Sequence, residues 1–193
     1  MLEASIGAVK LRFQTRPGLF SPRALDAGTL ALLSLVRFDP NDKVLDLGCG
    51  YGLVGIYAAH FMPPEQVYLL DSDPAAIEAA RANCALNGVP GAHLILSDGF
   101  RGTNETGFTK IIANPPYHVD FSVPKHFVEK GFNRLVLGGS MWLVTSRLAW
   151  YRNKLSAIFG GVRIHNVDGY FVFEAVKTAS QYGSAGRANR GLP

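Results

Sequence analysis

Cysteine is scarce, with two residues in a chain of 193, and Cys49 and Cys84 stand far apart in no spacing that metal ions use. A disulfide framework and a zinc cluster are therefore excluded as organising devices. The pair reads as two free thiols, Cys49 filling tight space in a glycine-rich turn and Cys84 packing on a helix. No apolar run reaches the roughly 18 residues of a membrane-spanning helix, and the N-terminus lacks the charged-then-apolar layout of a signal peptide. The expectation is a cytoplasmic chain with no membrane partner. Charge is modest too, at 18% of residues against 48% hydrophobic, which suits one compact domain able to bury a core.

Strand and helix signals alternate along the body of the chain. Leu25 to Val36 has helical periodicity closed by Pro40-Asn41-Asp42, and strands are expected near 43–47 and 66–70. Asp73 caps a helix from Pro74 to Asn87, with proline at the first helical position and Gly88 just past the end. Strands near 93–96 and 109–113 precede a helix over Lys125 to Leu135, a buried strand over Met141 to Thr145 and a helix from Ala149 to Phe159. Arg163 to Val167 and Tyr170 to Val176, joined by Asp168-Gly169, read as a closing hairpin. The pattern predicts an α/β fold, a doubly wound and mostly parallel seven-stranded sheet with a C-terminal antiparallel hairpin. A single domain is expected over 1–177, and 178–193, rich in Gly, Ser, Ala and Arg, reads as a disordered basic tail.

Chemistry concentrates in three places. Val44-Leu45-Asp46-Leu47 reads as a buried strand running into Gly48-Cys49-Gly50-Tyr51-Gly52-Leu53-Val54-Gly55, after which Ile56 to Ala59 is helical. Glycines there permit positive φ and close backbone approach to a polar ligand. Gly50, Gly52 and Gly55 satisfy G-x-G-x-x-G, with Asp71 about 20 residues on, so a nicotinamide enzyme fits the spacing. Asp46 argues against it, because a carboxylate just before the turn repels a pyrophosphate and attracts an ammonium. Asp71-Ser72 ends the next strand, where a carboxylate can hold both hydroxyls of a ribose. The ligand implied is a nucleoside with a cationic tail.

The third place is Asn114-Pro115-Pro116-Tyr117, followed by His118. Two prolines remove two backbone donors and fix a stiff corner whose carbonyls only accept. An amide precedes the corner and an aromatic ring follows, which suits a flat ligand bearing an amino group: the Asn114 oxygen and the Pro115 carbonyl take its two N–H bonds while Tyr117 stacks. A plain turn after a buried strand is the other reading. In a doubly wound sheet ligands sit beyond the carboxyl ends of the strands, where Gly48, Asp71, Asp98 and Asn114 all fall.

These motifs together resemble the class I S-adenosylmethionine-dependent methyltransferases. The resemblance implies a Rossmann-like fold in which Val44 to Gly52 surrounds the methionine part of the cofactor, Asp71 and Ser72 hold the ribose, and Ser97-Asp98-Gly99-Phe100 flanks the adenine. Asn114-Pro115-Pro116-Tyr117 is similar to the fourth motif of the subgroup that methylates planar nitrogens. Pro17-Gly18-Leu19-Phe20-Ser21, Asp26-Ala27-Gly28-Thr29 and His118 are similar to the small-subunit ribosomal RNA guanine-N2 methyltransferases, in which the segment holding Phe20, Asp26 and Gly28 lines the cofactor pocket. Helix capping by Ser21 or Asp26 is the alternative for that segment. Those enzymes carry a second, degenerate copy of the fold before the catalytic one, for which 193 residues have no room. A lone copy raises homodimerisation as an expectation.

Charge is unevenly placed. Residues 1–119 hold 9 Lys/Arg against 11 Asp/Glu, a net −2, whereas 120–193 hold 10 against 4, a net +6. Lys125, Lys130, Arg134, Arg147, Arg152 and Lys154 make the second half attractive to RNA, although solvated helix faces also carry such residues. The reading is methyl transfer to an exocyclic amino nitrogen of a base in RNA, guanine N2 of ribosomal RNA foremost. Protein glutamine and DNA adenine share the acceptor chemistry, and a non-catalytic RNA-binding module shares the fold.

Overall fold

The computed structural model describes residues 1–19, 21–115 and 121–182. Seven strands form one sheet: β3 (Val44–Leu47), β4 (Val67–Asp71), β5 (His93–Leu96), β6 (Phe108–Ala113), β7 (Leu135–Thr145), β8 (Arg163–Val167) and β9 (Tyr170–Val176). Their order is β5-β4-β3-β6-β7-β9-β8, parallel from β5 through β7, with β9 antiparallel to both β7 and β8. β3 lies between β4 and β6, so the winding reverses at its end, the position where open α/β sheets open a crevice for a ligand. The hairpin expected at the C-terminus has the expected bounds, and both turn residues, Asp168 and Gly169, adopt positive φ (50° and 84°), as a two-residue turn matching strand twist requires.

Among the described residues five α-helices cover the sheet: α1 (Ala27–Leu35), α2 (Leu53–Ala58), α3 (Pro74–Leu86), α4 (Ser122–Arg134) and α5 (Leu148–Phe159). One apolar cluster lies under α1, α2 and α3, with Leu32, Ile56, Leu69 and Ala80 in it; the other lies under α4 and α5, with Val128, Phe132, Leu155 and Phe173. α3 begins as its sequence dictates: the Asp73 side chain accepts from the Ala75 N–H at 2.8 Å and Pro74 opens the first turn. None of the helices among the described residues is long and apolar enough to cross a membrane.

Four features depart from the sequence reading. An N-terminal hairpin, β1 (Leu2–Ile6) with β2 (Val9–Phe13), precedes everything read from pattern. Its outer edge is satisfied by a helix: Asn87 accepts from the Arg12 N–H at 3.0 Å and donates to the Arg12 carbonyl at 2.8 Å, while Asn83 accepts from the Gln14 N–H at 2.8 Å and donates to the carbonyls of Gln14 and Tyr51. α4 starts at Ser122 rather than 125, since Pro124 in a first turn needs no N–H. β7 starts at Leu135 rather than 141, crossing a register shift around Gly138-Gly139, where Gly138 takes φ 81°. Packing also runs past residue 177, because the Tyr182 ring meets Phe132 edge-on at 5.2 Å. Residues 183–193 of the expected tail lie outside the described residues.

Candidate active site

A cavity of about 310 Å³ opens at the carboxyl ends of β3, β4 and β6, and its wall draws on segments far apart in sequence. Asp46, Gly48, Gly50, Asp71, Ser72, Asp98, Gly99, Asn114 and Pro115, all picked from sequence, line it together. Phe20, Tyr117 and His118 lie outside the described residues. Gly52, expected to touch the cofactor, does not line the cavity. A Cβ on Gly52 would meet Ile56, Leu69 and Ala80 at 3.0–3.3 Å, and its φ of 95° opens α2, so its task is the turn and the close seat of α2 on the sheet. Gly48 and Gly50 differ: both have positive φ (78° and 54°), and an added Cβ would meet nothing closer than Phe127 at 4.0 Å. They present bare backbone to the cavity.

Two carboxylates charge that backbone cradle. Asp46 is buried, with Oδ2 accepting from the Gly55 N–H at 2.8 Å. Burial pushes its pKa up to about 7, the Gly55 N–H opposes this, and the neighbouring negative Asp71 adds to it. Such a group awaits a cation, because a carboxylate taken from water without a countercharge is costly. Asp71 is half-exposed; its Oδ2 accepts from the Gly50 N–H at 2.8 Å and its Oδ1 from the Asp73 N–H at 3.0 Å. Each oxygen keeps a lone pair for a further donor. Beside them, the buried Ser97 hydroxyl donates to the Gly99 carbonyl at 2.6 Å and accepts from the Gly102 N–H at 2.9 Å, tying residues 97–102 into a compact turn. Asp98 on that turn is mostly exposed and pairs with Arg101. His126 accepts the Phe100 N–H at 3.2 Å, which holds its ring neutral, and burial with the nearby Arg101 lowers its pKa accordingly.

At the acceptor side, the Asn114 amide is held from one end only. Its Nδ2 donates to Asp26 Oδ1 at 2.7 Å and to Thr29 Oγ1 at 2.9 Å, while its Oδ1 is buried and has no partner among the described residues. The same Asp26 oxygen accepts from the N–H of Thr29 at 2.7 Å, capping α1, and from its hydroxyl at 3.0 Å. Asp26 thus caps α1 and also lines the cavity, as does Thr29. Gly28 is buried within α1 and does not line the cavity. Sequence reasoning also passed over the apolar part of the wall, which includes Leu53, Val54, Leu70, Val123 and Phe127. Only their helical or strand periodicity marks these residues, and periodicity does not separate a cavity wall from core.

The site fits a nucleoside carrying a cationic amino-acid tail: a buried acid for an ammonium, bare glycine backbone for a close approach, a second acid at the rim for hydroxyls, and apolar walls for a ring. Comparison with known proteins agrees. The family described as Methyltransferase small domain matches residues 10–174. Ribosomal RNA small subunit methyltransferase C of Pseudomonas putida is 31% identical over 172 residues, covering 86% of this chain and 51% of that protein; the Cronobacter sakazakii protein of the same name is 33% identical over 171 residues, covering 86% and 49%. The chain therefore spans about half the length of the curated relatives it matches. Among solved structures, Thermus thermophilus 16S rRNA N2 G1207 methyltransferase (RsmC), in complex with AdoMet and guanosine, superposes with a TM-score of 0.82 at 28% identity, over 91% of this chain and 50% of that one. TrmN of the same organism gives 0.65 at 25% identity, over 76% and 47%. Because that family's model spans residues 10–174, and the winding of the sheet is that of an open α/β fold with its crevice at β3, the chain belongs to the methyltransferase small domain family.

Proposed function

We propose that the chain transfers a methyl group from S-adenosylmethionine to an exocyclic amino nitrogen of a base in RNA, guanine N2 of ribosomal RNA. The observation that carries this reading is the Asn114 amide, whose N–H groups are consumed by Asp26 and Thr29 and whose oxygen is a buried acceptor with no donor among the described residues. A buried polar atom left unpaired costs on the order of 1–3 kcal/mol, and an amino substrate relieves that cost. The relatives named above, one of them solved with both AdoMet and guanosine, support the choice of cofactor and base. The excess of basic residues after 119 supports RNA. A cytoplasmic location and a homodimer belong to the same reading; a strictly monomeric species by light scattering at micromolar concentration contradicts the latter.

When bound, the cofactor supplies an electrophilic methyl on a sulfonium, a leaving group that needs no metal and no covalent nucleophile. Asp46 holds the ammonium, the Gly48 and Gly50 backbone lies along the tail, Asp71 and Ser72 take the ribose hydroxyls, and the turn of Asp98 and Gly99 borders the adenine. Asn114 Oδ1 and the Pro115 carbonyl accept the two N–H bonds of the target amine. An exocyclic amine is a poor nucleophile because its lone pair is spread into the ring, and two acceptors favour a more pyramidal nitrogen. The same oxygens stabilise the positive charge that grows on it as the S–CH3 bond breaks and the N–CH3 bond forms, and the surplus proton of the methylated nitrogen then leaves to water. Alignment of the pair supplies much of the rate, up to roughly 7–11 kcal/mol in well-held reactants. Tyr117 is assigned the base-stacking role on its sequence alone. Incubation with methyl-labelled cofactor and separate pools of ribosomal subunits, total RNA, DNA and release factor tests the substrate class: label in RNA is expected, and label confined to DNA or protein overturns it.

A further inference from the structure

One aromatic group beside the site remains unused by this reaction. The ring of Phe121, the residue just before α4, stacks on Trp150 with centroids 4.5 Å apart and planes 17° from parallel. The Arg147 guanidinium lies over the Phe121 ring at 5.2 Å. Trp150 rests edge-on against buried Tyr151 at 5.0 Å, and Tyr151 lies 5.8 Å from Phe173 of β9, so the ladder is rooted in the core and ends in solvent. Phe121 is 38% exposed, Trp150 half-buried and Arg147 exposed.

The ladder's position relates it to the cavity. Arg147 and Trp150 follow β7, which pairs with β6 through Leu143 opposite Ala113, the residue before Asn114. From Phe121, α4 continues directly into Val123 and Phe127 of the cavity wall. Arg147 is exposed and forms no ion pair with any described residue. Residues 120–154 carry six Lys/Arg against Asp120 and Glu129, a net +4. A basic surface next to a reaction site that presents stacked rings and a flat guanidinium matches the face of a base and the charge of its phosphate.

We propose that Arg147, Phe121 and Trp150 form a platform on which an unpaired RNA nucleotide neighbouring the target base stacks, holding the strand while the target base enters the cavity. This rests on the RNA reading above and adds to it the surface that grips the strand. Ring and guanidinium planes recognise any base, so the platform fixes position rather than sequence.

The full chain carries two tryptophans, Trp142, which is buried, and Trp150, so Trp150 reports directly on stacking. Titration with a fluorescein-labelled, single-stranded RNA decamer of mixed sequence, read by anisotropy, and with the unlabelled decamer, read by tryptophan emission, is the test. Expected are quenching in the wild type that is lost in Trp150→Phe, and RNA affinity at least fivefold weaker in Arg147→Gln and Phe121→Ala with S-adenosylmethionine affinity unchanged by calorimetry. Arg147→Gln is a surface change, so it remains informative if Phe121→Ala does not fold. Wild-type affinity in Arg147→Gln, equal quenching in Trp150→Phe, or an effect on a DNA decamer alone overturns the platform. Where the wild type methylates RNA and the variants bind the decamer as well as it does, only the platform fails; a wild type that neither binds nor methylates RNA removes the RNA reading as well.

Discussion

Asn114 and Asp26 stand 88 residues apart and meet at 2.7 Å, and the reaction proposed here depends on that contact. A carboxylate only accepts, so Asp26 dictates which end of the amide faces away from it. Asp26→Asn keeps an acceptor for the α1 cap yet offers the amide either end, so kcat is expected to fall by about tenfold or more while S-adenosylmethionine affinity stays within about twofold. Asp26→Ala adds a capping loss of about 1 kcal/mol in stability, visible in thermal melts. Equal kcat in Asp26→Asn and wild type contradicts the assignment. Asn114 as a candidate acceptor was readable in sequence, since Asn-Pro-Pro-Tyr has the pattern of an acceptor corner. The clamp behind it was not, because spacing along the chain carries no information about which strand end α1 reaches.

Asp46 gives a pH signature at the same scale. With its pKa near 7, the carboxyl is neutral below that point and loses its hold on an ammonium. Cofactor affinity is expected to fall as pH drops from 8 to 6 in the wild type and to be nearly flat in Asp46→Asn, by calorimetry. Stability runs the other way. The folded value lies above the unfolded one near 4, so the contribution of this group to stability is present below about 4, declines as pH rises to about 7 and is constant above. Asp46→Asn is therefore expected to melt a few degrees higher than the wild type at pH 7.5 without cofactor. A lower melting point would show that Asp46 holds the fold rather than the ligand.

Among the elements, the glycine turn separates two tasks that its sequence merges. Gly50, Gly52 and Gly55 satisfy a dinucleotide pattern, but a Cβ on Gly55 would lie 2.6 Å from Leu69 Cγ, so that glycine exists to seat α2 on β4. Gly55→Ala is expected to cost about 1–3 kcal/mol by overpacking, seen as a lower denaturation midpoint. Gly50→Ala has open space and pays only the strain of its φ of 54°, about 1–2 kcal/mol, while placing a methyl where the cofactor tail approaches. It is expected to retain the fold and lose cofactor affinity; the reverse ranking of the two variants contradicts this division. Capped α3 and the closing hairpin were readable because proline, aspartate and glycine signals are local. The N-terminal hairpin was not, because its edge is completed by Asn83 of α3 and Asn87 at its C-cap, which look in sequence like ordinary polar helix positions.

At the scale of the molecule, the charge asymmetry survives folding in reduced form. Of the six basic residues singled out on or next to α4 and α5, Lys154 is paired with Glu129, and Arg134 donates to the carbonyls of Thr103 and Glu105 at 3.0 Å. Lys125, Lys130, Arg147 and Arg152 form no ion pair with described residues. If all four meet phosphates of a single strand, affinity for RNA is expected to fall roughly fiftyfold between 50 and 200 mM salt. A slope near zero in anisotropy titrations contradicts an electrostatic RNA surface on these helices.

The central claim is that this fold methylates a planar amino nitrogen of an RNA base through Asn114. Its most direct test is nucleoside analysis by mass spectrometry of ribosomal RNA after incubation with S-adenosylmethionine and either the wild type or Asn114→Ala. The account predicts new N2-methylguanosine with the wild type and none with the variant, which still binds the cofactor. Methylation of a different nucleoside, or undiminished N2-methylguanosine with Asn114→Ala, would contradict it.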